Sequence, residues 1–105
     1  MKSSIWINEK PVLDSGGMLG TKLYSQPEGE LVHIRFEPGA HLKAHKTPVN
    51  VVFYVVEGTA TIQIGEETAD FAPDNMIESP KDIPHAITNN GSGILRVLVI
   101  KMPKP

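Results

Sequence analysis

Apolar and polar residues alternate along most of this chain with the period of two that belongs to β-strands, and the helical period of 3.6 has little support. In Leu31-Val32-His33-Ile34-Arg35-Phe36, the side chains Val32, Ile34 and Phe36 fall on one face and His33 and Arg35 on the other. That is a strand buried on one side, with His33 expected to face solvent. Glu37-Pro38-Gly39 ends it, because proline donates no hydrogen bond to a ladder and glycine permits a sharp turn. Val51 to Val56 is apolar at every position, which predicts a strand covered on both faces. Gly58 breaks that run, Thr59 to Ile64 alternates again, and Gly65-Glu66 predicts a hairpin into Glu67 to Phe71. Ala72-Pro73-Asp74-Asn75 reads as a turn, Ile94 to Ile100 as a last strand, and Met102-Pro103-Lys104-Pro105 as a tail. Roughly nine strands of about 5–6 residues hide their edges by closing the sheet or by stacking it in two layers.

Length and composition narrow the picture. The 105 residues suit one domain over 1–105, with N-terminal strands in 1–29, the principal strands in 30–101 and a tail at 102–105. Hydrophobic residues at 40% and charged residues at 21% supply a core without metal clips or disulfides. The absence of cysteine excludes a disulfide framework, a thiolate zinc cluster and a cysteine nucleophile. The N-terminus has no signal-peptide core and no apolar run is long enough to span a bilayer, so the expected location is cytoplasmic. A net charge of -2 with scattered basic residues gives no footprint for nucleic acid or a membrane surface. No serine stands in a nucleophile elbow, and phosphate-binding glycine loops are absent.

From Pro38 onward the chain resembles the cupin family, whose two motifs build a small jelly-roll β-barrel with a site in its mouth. The first motif runs Gly, five residues, His-x-His, three or four residues, Glu, six residues, Gly; Gly39, His45 and Gly58 fall on it in register. The second runs Gly, five residues, Pro-x-Gly, two residues, His, three residues, Asn; Pro80, His85 and Asn89 fit, with Asp74 and Asp82 in place of its glycines. Aspartate is among the residues that best tolerate positive φ, so both substitutions are compatible with the turns. The resemblance implies an all-β, single jelly-roll barrel.

It also implies a metal shell of two histidines and a glutamate from the first motif plus the histidine of the second. Here His45 and His85 remain, while Thr47 replaces the second histidine and Val51 the glutamate. If the strands run regularly, residues 45, 47, 51, 53 and 55 share an inward face. The expected ligand-binding set is therefore His45, Thr47, Val51, Phe53 and His85, a mostly apolar wall with a few polar groups. A divalent ion on two neutral imidazoles would lack compensating charge, so no cofactor is firmly implied. Fe, Ni, Zn or Mn held by His45 and His85 is the metal alternative. His41 shares strand parity with His45 and is a further candidate, against its reading as a solvated turn residue. Glu78 has the opposing parity.

Three functions follow from this pattern. The first is a small-molecule-binding module without catalysis. The second is a metal-dependent enzyme of dioxygenase or isomerase type using His45 and His85. The third is metal-free proton transfer through one of these histidines. Apolar residues on both faces of Val51 to Val56, with Ile5-Trp6-Ile7 free to pair and Trp6 as an anchor, predict a homodimer.

Overall fold

The computed structural model describes all residues, Met1–Pro105. Its regular elements are a single 3₁₀ turn, Trp6–Asn8, and ten strands: β1 (Leu13–Ser15), β2 (Met18–Gln26), β3 (Gly29–Phe36), β4 (His41–His45), β5 (Asn50–Glu57), β6 (Ala60–Ile64), β7 (Glu67–Phe71), β8 (Met76–Ser79), β9 (His85–Thr88) and β10 (Leu95–Met102). They form two antiparallel sheets, a six-stranded one ordered β1-β2-β3-β10-β5-β8 and a four-stranded one ordered β4-β9-β6-β7. The two ladders do not join by strand pairing. The arrangement is thus all-β and of jelly-roll type, two sheets stacked over one core, where a closed barrel was expected. Both sheets end on short strands, β1 and β8 in the larger sheet and β4 and β7 in the smaller, and short edges are one way a sheet stops without recruiting a neighbour.

Strand parity explains the core. Val32, Ile34 and Phe36 of β3, Val51, Phe53 and Val55 of β5, and Leu95, Val97 and Val99 of β10 point inward from the larger sheet. Ala60 and Ile62 of β6 and Ile87 of β9 meet them from the smaller one. Val52, Tyr54 and Val56 on the opposite face of β5 are half-buried within one chain. Ile5-Trp6-Ile7 does not form a strand; it winds into the 3₁₀ turn, and Trp6 lies flat on His33, ring centroids 4.8 Å apart and planes 11° apart. His33, expected in solvent, is only 1% exposed as a result. The alternation placed it on the outer face correctly, but a segment distant in sequence covers that face.

The turns that carry the site depend on special backbone angles. Gly58 has φ 80°, and a side chain there would collide with the Ile94 carbonyl. Asp74 and Asp82, which replace glycines of the second motif, both adopt positive φ, 72° and 63°. Asn89 is fully buried; its amide donates to the Phe36 and Gly93 carbonyls, and its Oδ1 accepts from the Gly91 N–H. It therefore fastens the end of β9 to β3, a structural use of that motif residue.

Candidate functional site

Two loops bring the site together. The segment after Pro80 folds onto the β4–β5 connection: the Asp82 N–H donates to the Thr47 carbonyl at 2.9 Å, and the Lys81 N–H to Asn50 Oδ1 at 2.9 Å. β9 then pairs with β4, setting His85 directly opposite His45. The rings meet edge to face with centroids 4.6 Å apart, and their Nε2 atoms are 3.3 Å apart. His85 is buried, with the edge of Phe53 packed against it at 5.0 Å, whereas His45 is open to solvent.

The hydrogen bonds select a protonation pattern. His45 Nδ1 lies 2.9 Å from the Lys43 carbonyl, which only accepts, so that nitrogen carries the hydrogen, and in the uncharged ring His45 Nε2 is an acceptor. His85 Nε2 must then donate to it, leaving His85 Nδ1 to accept from the Ser79 hydroxyl at 2.7 Å. Thr47 Oγ1 sits 3.4 Å from the same His85 Nε2, a weaker contact. The chain Ser79, His85, His45, Lys43 carbonyl is a continuous hydrogen-bonded relay. Its central imidazole resists protonation: burial foremost, then the neighbouring His45 and Lys101, push His85 down to about 4.

These histidines open into a cavity of about 320 Å³, at the small end of the range used for organic ligands. Its walls are largely apolar, with Val32, Ile34, Leu42, Phe53 and Val99 among them; its polar groups are His45, Thr47, His85, Lys22, Glu30 and Lys101. Four of the five expected ligand-binding residues thus line one space. The fifth, Val51, is buried in the core and borders a separate shallow depression with Ser79 and Pro80. His41 is not part of the site. The register shifts between Leu42 and His45, so the strand parity that would have aligned His41 with His45 is lost at that bulge. His41 instead hydrogen-bonds Thr88 at 2.7 Å. Glu78 is exposed, as its parity required.

The sequence reading missed Ser79, Lys22, Glu30 and Lys101. Part of the signal was present: Glu30 continues the inward parity of Val32, Ile34 and Phe36, and Lys101 that of Leu95, Val97 and Val99. The two stand opposite each other in the β3–β10 ladder. Lys22 reaches the same carboxylate from β2, at 3.3 Å against 3.6 Å for Lys101. Burial pushes the Glu30 carboxyl up, but the two lysines and the Ser25 hydroxyl outweigh it and hold it below the usual carboxylate range.

The donor set does not suit a resident metal ion. No three histidine, cysteine, aspartate or glutamate side chains converge anywhere in the molecule. Beyond the two imidazoles the site offers a threonine hydroxyl, and the nearest charges of consequence to His85 are positive. Both Nε2 lone pairs would also have to face the ion, which requires His85 to change tautomer.

A family model described as a cupin domain matches residues 32–101. Solved structures agree in fold. An RmlC-like cupin from Shewanella frigidimarina superposes with a TM-score of 0.88 at 19% identity, covering 99% of this chain and 92% of its own. KdgF from Halomonas sp. gives 0.85 at 19% identity over 97% and 96%, respectively. The polyketide cyclase RemF from Streptomyces resistomycificus gives 0.84 at 20% identity over 99% and 80%. No curated protein sequence matches the chain significantly. No helix is long and apolar enough to cross a membrane.

Proposed function

The chain belongs to the cupin family, and on that footing we propose that it is a small-molecule-binding cupin that holds an organic ligand against His45 and His85 without a resident metal. The observation that carries this reading is the coincidence of a largely apolar cavity with a preformed pair of imidazoles at its wall. Apolar walls supply affinity, and a few fixed polar groups supply orientation. His85, anchored by Ser79 and backed by Phe53, is the rigid member; His45, open to solvent, is the one a ligand can displace.

The reading of a metal-dependent enzyme retains one supporting observation. Nε2 atoms 3.3 Å apart are spaced as two adjacent ligands of a single ion would be, at about 2.0–2.1 Å from each. That reading needs the substrate or water to supply the rest of the coordination sphere and all the compensating negative charge.

The binding reading is tested by screening the full chain against a panel of small aromatic and branched aliphatic compounds, following backbone and methyl resonances. The expected outcome is a saturable shift of Val32, Phe53, Val99 and His85 together. Shifts confined to residues outside the cavity would contradict it.

A further inference from the structure

The charges in the cavity wall narrow the ligand class, an inference that rests on the binding reading above. Glu30 is the one acidic residue that lines the space, and it faces two lysines. Its side chain is 7% exposed and its oxygens are already engaged: Oε2 with Lys22 and the Ser25 hydroxyl, Oε1 with Lys101. The lysines are not exhausted in the same way. An ammonium carries three donors, and the side chains of Lys22 and Lys101 keep 41% and 27% of their exposure. Two cations against one carboxylate leave one positive charge in excess, and the buried His85 beside them resists protonation.

Two part-exposed ammonium groups beside apolar walls offer an anion charge-assisted donors at the edge of the cavity. We propose that the cavity takes a small monocarboxylic acid with an apolar aromatic or branched body, its carboxylate bridging Lys22 and Lys101 and its body against Val32, Phe53 and Val99. Glu30 is then a positioning residue: it holds the two ammonium groups at the cavity wall and leaves a balance of one charge, which matches a monoanion. His85 and His45 remain for a hydroxyl or carbonyl elsewhere on the ligand. A cationic ligand is disfavoured by the same charge count.

The test is calorimetric titration of the full chain near neutral pH and low salt with phenylacetate and 4-methylpentanoate, each paired with its uncharged amide. The acids are expected to bind at least tenfold more tightly than the amides. In Lys101→Gln that ratio should fall towards one, with Lys22→Gln as a second variant on a more exposed side chain. Equal binding of acid and amide by the unaltered chain would overturn the carboxylate inference and leave the binding reading standing. Failure of all four compounds to bind would overturn both. Displacement of phenylacetate by inorganic phosphate at equal ionic strength would mark an unselective anion site and also overturn the inference.

Discussion

Two histidines with the same displaced acidity do different work, His33 on the outer face of the larger sheet and His85 on the smaller sheet, beside the cavity. Both His33 and His85 are almost fully buried, and both are pushed down to about 4, in each case mainly by burial. Their partners differ. His33 is closed over from outside: Trp6 stacks on it, the Arg96 Nε–H donates to its Nε2 at 2.9 Å, and the Arg96 guanidinium lies 5.7 Å above the Trp6 ring. No cavity reaches it, and its Nδ1 has no partner at all. His85 has both nitrogens engaged, yet it borders open space and its neighbour His45 is exposed to solvent. A depressed histidine is therefore not in itself a mark of function; access separates the clamp from the site.

The sharpest way to break this comparison is to remove the aromatic ring that backs each histidine. Phe53 lies in the core, so Phe53→Ala should cost about 3–5 kcal/mol of stability in denaturant unfolding. A cost below 1 kcal/mol would mean that the ring packs far more loosely than described.

Acid titration addresses both histidines together. Each is near 4 when folded and near 6.5 when unfolded, so the unfolded chain binds more protons between those values. The stability they contribute is complete above about pH 6.5 and is lost as pH falls towards 4, by on the order of 2–3 kcal/mol for each. His33→Gln, which keeps an acceptor for Arg96, should remove about half of the histidine-dependent slope. An unchanged slope would show that His33 titrates normally and is not enclosed.

The smallest effect belongs to the outer ring. Trp6 is half-buried on a three-residue turn, so Trp6→Ala should cost about 1–2 kcal/mol. It should also return the His33 titration, followed by NMR, towards the ordinary histidine range while leaving His85 unmoved. Equal movement of both would erase the distinction between the two histidines.

Much of this arrangement was legible in the residues. Alternation in 31–36 gave the inward face of β3, the run 94–100 gave β10 as the last strand, and motif spacing alone brought His45 and His85 together from 40 positions apart. What was not legible were the breaks in regularity. The bulge between Leu42 and His45 cancels the parity argument for His41, and bulges leave little trace in a short run. The covering of His33 by Trp6 depends on where a 27-residue-distant segment returns, which periodicity does not encode. The charged trio at the cavity wall was half visible, because Glu30 and Lys101 extend apolar faces by one step. Lys22 was not, since the register of β2 against β3 shifts beside it.

Anomalous X-ray diffraction from crystals of the purified chain, collected across the Mn, Fe, Ni and Zn absorption edges, tests the metal-free pocket most directly. The account predicts no anomalous peak between His45 and His85, and instead water or an organic density reaching towards Val99. A peak bonded to both Nε2 atoms at about 2.0–2.2 Å would contradict it.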